Sequence, residues 1–166
     1  MICRRLGPDD AAQYRTLRIS GLRESPTAFI VTAEEEEQLP LAVTLERLQQ
    51  TPASATYGAY QVDQLVGICT VLRESRSKLR HKATLVGVYV AAQARRAGTA
   101  RELIRQALGF AAAMGVRQVN LGVNAANIPA LRLYESLGFV PYGTEREFMC
   151  VDGMFQDEIY MVHVLP

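Results

Sequence analysis

Three apolar runs follow one another between Ala55 and Val90, and the third leads straight into a helix-spaced pattern. Ala55–Val62 and Leu65–Leu72, parted by Asp63-Gln64, read as two strands around a tight turn. Ala83–Val90, rich in Val, Leu and Tyr, reads as a third strand. Directly afterwards Ala100, Leu103, Ile104, Ala107, Leu108, Ala111 and Met114 recur at i, i+3, i+4 and i+7, the stripe of a helix with one buried face. Gly115 ends that helix. A one-faced helix fed by strands has to cover a sheet, so the expected class is a mixed α/β (α+β) sheet.

The flanks extend this order. Cys3–Leu6 suits a short first strand, and Pro8, Asp9 and Asp10 suit a helix start, because Pro and acids are favoured in the first turn. Tyr14, Leu17, Ile19 and Leu22 carry that helix to about Arg23, and Leu41, Leu45 and Leu48 continue a helical pattern after Pro40. The run Glu34–Glu37 reads as a solvated helix start or as a site for a cation. Beyond Gly115, Arg117–Val123 reads as a strand, Asn127–Leu137 as a short helix and Phe139–Cys150 as a strand. Asp152-Gly153 is a hairpin signal before a last strand, Gln156–Val164. The order is β-α-α-β-β-β-α-β-α-β-β, in a single domain spanning residues 1–166.

Composition narrows the function. A chain of 166 residues with 49% apolar and 21% charged residues buries a core without disulfides or metal. Eighteen basic residues against 17 acidic ones leave a net charge of +1, which argues against a protein that grips nucleic acid through its phosphates. Cys3, Cys69 and Cys150 form no C-x-x-C pair and read as thiols of a reducing compartment, not a zinc site. Residues 1–10 lack the apolar core of a signal peptide, and no uncharged run approaches the roughly 20 residues of a membrane helix. The expectation is a cytoplasmic protein with no membrane and no nucleic-acid partner.

Two stretches carry chemistry. In the first, Val88–Arg101, a strand feeds a turn that opens a helix, whose unpaired N–H groups and dipole of about half a charge attract phosphate. Gly98 lets a ligand approach the backbone, Ala100 keeps the first turn clear, and Arg95, Arg96 and Arg101 add positive charge. The loop has neither the Gly-Lys-Ser/Thr of a Walker loop nor the three glycines of a dinucleotide fingerprint. In the second, Asn127–Phe139, Asn127 suits an N-cap, Pro129 the first turn and Gly138 the stop. Tyr134 lies nearly two turns beyond Asn127, so both share one helix face. That face could present an amide and a phenol to one ligand, or simply pack.

Together the two stretches resemble motifs A and B of the GNAT superfamily of acetyl-CoA-dependent N-acetyltransferases. Arg95-x-x-Gly98-x-Ala100 is similar to that family's Gln/Arg-x-x-Gly-x-Gly/Ala loop, and Asn127-x-x-Ala130-x-x-x-Tyr134-x-x-x-Gly138-Phe139 to its second motif. The element order matches too, whereas the first 80 residues agree by order alone. The resemblance implies a mostly antiparallel sheet flanked by helices, acetyl-CoA as co-substrate with no metal, and an amine acceptor, either a small molecule or a protein. A homodimer follows from family habit. Under it, the N–H groups of Arg96, Gly98, Thr99, Ala100 and Arg101 would bind pyrophosphate. Backbone groups of Val88 and Val90 would pair with the pantetheine arm, and the Val90 amide would polarise the thioester carbonyl. Asn127 would hydrogen-bond the arm, and Tyr134 would sit beside the sulfur as general acid, its phenol having an ordinary pKa near 10.

The resemblance leaves the base open. Many family members place a Glu on the third long strand, but Thr84–Val88 holds no carboxylate. His81, Glu145, Glu147, Asp157 and ordered water all remain as candidates. The acceptor would lie near Glu24–Glu34 and Gly143–Gly153, where Glu34–Glu37 and Glu145 favour a cationic amine. A serine hydrolase is excluded by the lack of Gly-x-Ser-x-Gly, with only His81 and His163 available for a triad. Two alternatives persist: a non-catalytic acyl-CoA sensor, and a transferase using another acyl-CoA such as succinyl or propionyl.

Overall fold

A computed structural model describes residues 1–166. Strands β1 (Ile2–Arg5), β2 (Ser54–Gln61), β3 (Gln64–Arg73), β4 (Lys82–Val90), β5 (Gln118–Asn124), β6 (Val140–Val151) and β7 (Met154–Val164) form one sheet. Their order is β1-β2-β3-β4-β5-β7-β6, and every neighbouring pair is antiparallel except β4 with β5. The helices are α1 (Ala11–Glu24), α2 (Ala33–Gln38), α3 (Leu41–Arg47), α4 (Thr99–Ala113) and α5 (Ile128–Ser136). None is long and apolar enough to cross a membrane.

The expected mixed, mostly antiparallel sheet is present, with one more helix than the order anticipated. Pro40 is the reason. It has no N–H to continue a helix and disfavours helical geometry at the residue before it, and Leu39 is extended at φ −69°, ψ 135°. The first hairpin also turns one residue early, at Val62-Asp63, since Gln61 pairs with Gln64.

Burial explains the apolar runs. Leu65 to Cys69 are all buried, as they must be in a strand covered on both faces. Leu103, Ile104, Ala107 and Ala111 of α4 are fully buried against β2–β4. Sequestering side chains the size of Leu103 and Ile104 contributes about 2 kcal/mol each. From the other side, α1 brings Tyr14, Leu17 and Leu22 into the core, and Gly21 lets the Tyr89 ring sit directly on the helix backbone.

The feature that positions the site is a split in the sheet. Parallel pairing of β4 with β5 runs only from Lys82–Thr84 against Gln118–Asn120, and beyond it the two strands part. A bulge lies on the departing stretch: Tyr89 faces Ile68 and Val86 faces Thr70, so β4 spends an extra residue there. Gly87 absorbs it at φ +62°, a left-handed value that suits glycine. An extra residue bends its strand, and here it accompanies the parting of β4 from β5.

Candidate active site

A cleft of about 650 Å³ opens where β4 and β5 part. All ten residues singled out from the sequence line it: Val88, Val90, Arg95, Arg96, Gly98, Thr99, Ala100, Arg101, Asn127 and Tyr134. One wall is the turn into α4 with the helix's first turn. A second is α5, and the floor is the unpaired ends of β4 and β5.

The turn is built to leave amides free. Ala92–Ala94 form a short 3₁₀ turn, Arg96 is left-handed at φ +60°, and Gly98 caps α4 at φ +79°. Thr99 is buried, and its hydroxyl donates to the Ala94 carbonyl at 2.8 Å, tying the turn shut. The first backbone bond of α4 runs from the Glu102 N–H to the Gly98 carbonyl at 3.0 Å. The N–H groups of Arg96, Gly98, Thr99, Ala100 and Arg101 therefore reach no backbone carbonyl. A Cβ at Gly98 would meet nothing within 4 Å, so the approach to these donors is open. Dipole and free N–H groups together suit an anion.

The three arginines are not equivalent. Arg95 is committed: its Nε donates to the Val90 carbonyl at 2.8 Å, its guanidinium pairs with Glu24 at 2.7 Å, and it lies 5.8 Å from the Tyr89 ring centroid. Arg101 donates to the Ser136 hydroxyl at 2.7 Å, bridging α4 to α5. Arg96 is exposed and makes no such bond.

On the floor, the Ala91 N–H donates to the Val66 carbonyl at 2.8 Å. Strand alternation then turns the Tyr89 backbone toward β3, and that of Val90 and Val88 toward the gap. On α5, the Asn127 side chain accepts from the Ala130 N–H at 3.3 Å, the expected cap, which leaves its amide N–H₂ unengaged. Tyr134 is 8% exposed and packs edge-on against Phe139 with centroids 5.7 Å apart. Burial pushes its phenol well above the ordinary range, and no hydrogen bond opposes this, so the hydroxyl holds its proton at neutral pH.

Ser25, Ala28 and Phe29, within the Glu24–Glu34 stretch expected beside the acceptor, reach the cleft from the segment after α1. Other contributors escaped sequence reasoning: Gly122 and Asn124 line the cleft from β5. Tyr89 donates to Glu24, and this bond first, Arg95 next, holds the Glu24 carboxyl below its ordinary range. Glu158 of β7 lies buried against Gly122, where a Cβ would collide with its carboxylate. Only the fold brings these residues together, since no spacing signals them.

Other candidates are removed from the cleft. His81 precedes β4 at the end opposite Val90, where its carbonyl accepts from Arg117 and Gln118. Asp157 accepts from the Glu147 N–H at 2.9 Å and faces Arg146. The run Glu34–Glu37 is neither a free cation site nor wholly solvated. Glu36 is 3% exposed and held by Arg18 at 2.9 Å and by Arg47. Glu35 completes a capping box with Thr32, and Glu37 pairs with Arg23 at 2.5 Å. Structural ion pairs take up two of the four charges that the sequence displayed, those of Glu36 and Glu37.

Residues 16–139 match the model of the acetyltransferase (GNAT) family. The L-amino acid N-acetyltransferase AaaT of Escherichia coli K12 is 28% identical over 72% of this chain and 74% of its own length. Human N-acetyltransferase 8 is 35% identical over 57% of this chain, and the match spans only 36% of that protein. The structure of yncA from Salmonella typhimurium with its cofactor acetyl-CoA superposes with a TM-score of 0.83 at 19% identity, covering 100% of this chain and 94% of that one. That likeness concerns the fold. With a family match covering most of its length and a cleft lined by both motifs, the chain belongs to the acetyltransferase (GNAT) family and is an acyltransferase.

Proposed function

We propose that this chain transfers the acetyl group of acetyl-CoA to a primary amine by direct attack in a ternary complex, with Tyr134 as general acid. The observation that carries the reading is the convergence in one cleft of free N–H donors, an unpaired strand edge and a buried phenol.

Each part suits one portion of the co-substrate. The N–H groups of Arg96, Gly98, Thr99, Ala100 and Arg101, with the exposed Arg96 side chain, suit a pyrophosphate. The gap-facing backbone of Val88 and Val90 can pair with an amide-bearing arm as a missing strand would, and the free Asn127 amide can bond the same arm. The Val90 N–H is then placed to donate to the oxygen that gains charge as the amine attacks, a role worth a few kcal/mol. Tyr134, kept protonated by its burial, supplies a proton to the sulfur as the carbon–sulfur bond breaks.

The E. coli relative is named for L-amino acids, so an α-amine heads the acceptor panel. The deciding assay follows thiol release from acetyl-, propionyl- and succinyl-CoA with L-amino acids, a polyamine and a peptide N-terminus. Amine-dependent release from acetyl-CoA is the expected result. Binding of acetyl-CoA with no release above the hydrolysis blank would identify a sensor instead, and a preference for a longer donor would change the acyl class.

A further inference from the structure

We propose that Glu158 accepts the proton that the acceptor's ammonium must lose before it attacks. This rests on the transferase reading above and names the base that reading lacks. Glu158 pairs with Asn124 across β5 and β7, and its carboxylate lies over Gly122, a residue that lines the cleft. Any side chain at 122 would fill the space the carboxylate occupies, so the glycine leaves room for the acid against the cleft's β5 floor.

Its surroundings are those of a proton acceptor and not of a structural ion pair. Glu158 is 8% exposed, and neither a hydrogen bond nor a cation acts on it. The charged and titratable groups facing it are Glu145, its cross-strand partner on β6, Tyr160 two residues along β7, and Tyr134 from α5. Glu145 is itself engaged, accepting from the Tyr160 hydroxyl. Burial first, and the Glu145 charge second, push the Glu158 carboxyl up to about 7. A group balanced there takes a proton at neutral pH and returns it to solvent.

Tyr134 lines the same cleft from α5, near enough for the Glu158 charge to weigh on its hydroxyl. The step then balances. Glu158 takes one proton from the ammonium, the freed lone pair forms the carbon–nitrogen bond, and the carbon–sulfur bond breaks. The sulfur takes the Tyr134 proton, and the second nitrogen proton lost as the amide forms returns to the phenolate. Other acids are committed elsewhere: Glu24 is bound to Tyr89 and Arg95, Asp157 to the Glu147 N–H, and Glu36 to two arginines, while Glu147 does not line the cleft.

The test compares the wild type with Glu158→Gln on two probes, L-alanine amide, mostly protonated at neutral pH, and hydroxylamine, mostly neutral. With L-alanine amide, kcat/KM of the wild type should rise through a limb near pH 7. Glu158→Gln should abolish that limb and lower the rate about 100-fold. With hydroxylamine the variant should stay within about threefold of the wild type, because no proton has to leave first. Acetyl-CoA affinity should be unchanged. A second readout needs no turnover: wild-type Tm should fall relative to the variant as pH rises from about 4.5 to about 7. Equal losses on both probes, a surviving limb, or a Tm difference insensitive to pH would each overturn the proposal. A wild type that binds acetyl-CoA but acetylates neither probe, nor any amine of the panel above, would instead sink the transferase reading, and this one with it.

Discussion

Arg95 and Glu24 meet at 2.7 Å, joining the turn before α4 to the last residue of α1. The contact spends on architecture one of three arginines whose sequence position suggested phosphate. Tyr89 completes the set, its phenol pushed up to about 12 by burial and by the Glu24 carboxylate to which it donates.

Arg95 and Arg96 should therefore fail differently. Arg96→Ala should weaken acetyl-CoA binding about fivefold at low salt, an effect that fades as salt rises. The same variant should leave binding of acetyl-pantetheine, which has no pyrophosphate, unchanged. Arg95→Ala should affect both donors alike, and should cost no more than about 1 kcal/mol of stability because the pair is partly exposed. Calorimetric titration with both donors, at two salt concentrations, reads the difference.

Tyr134→Phe should lower kcat by about 100-fold while leaving acetyl-CoA affinity close to that of the wild type. The ring and its contact with Phe139 are kept, so the thermal midpoint should hold. Unchanged steady-state rates in the purified variant would discard the proton-donor role.

Gly87→Ala tests the bulge. An L-residue at φ +62° costs about 1 kcal/mol, and nothing crowds the position, since the nearest atom to an added Cβ is Arg18 Nη1 at 3.7 Å. The stability loss should therefore stay near that value. If the bulge sets the opening between β4 and β5, acetyl-CoA affinity should fall by more than the stability change alone accounts for.

Acid sensitivity should trace to Glu36 and Asp10. Burial works to raise the Glu36 carboxyl, but Arg18 and Arg47 outweigh it and hold it below its ordinary range. Asp10 is lowered to about 2, chiefly by Arg4 and also by the Gly7 N–H and Tyr60. Both folded values lie below the unfolded ones, so this stability is full above about pH 4.5 and drains as pH falls toward 2. Glu36→Gln should cost about 3 kcal/mol at pH 7, with the difference from the wild type shrinking below pH 4 in denaturant titrations.

Most of the strands, and helices α1, α4 and α5, were legible because each rests on local signals. The α4 stripe, the Asn127 cap and the Asp152-Gly153 turn need only near neighbours to be read. The extra break at Pro40 was legible in principle, but Leu41, Leu45 and Leu48 masked it by continuing a helical spacing. Of those three only Leu48 is fully buried, and Thr44 takes the inward place the pattern assigned to leucine. Acidity misled in the opposite direction: Glu36 looked solvated beside three other glutamates, and its burial depends on Arg18 and Arg47 arriving from other helices.

By itself the sequence determined the two motifs and the element order apart from the break at Pro40, because turn chemistry, capping and hydrophobic period act over a few residues. The tertiary structure alone decided how the charges divide. It paired Arg95 with Glu24, buried Glu36 between arginines, and set an unpartnered Glu158 against Gly122 where β4 and β5 part. Charge pairing and burial depend on through-space distance, and residues 36 positions apart, such as Gly122 and Glu158, become neighbours only when the strands align.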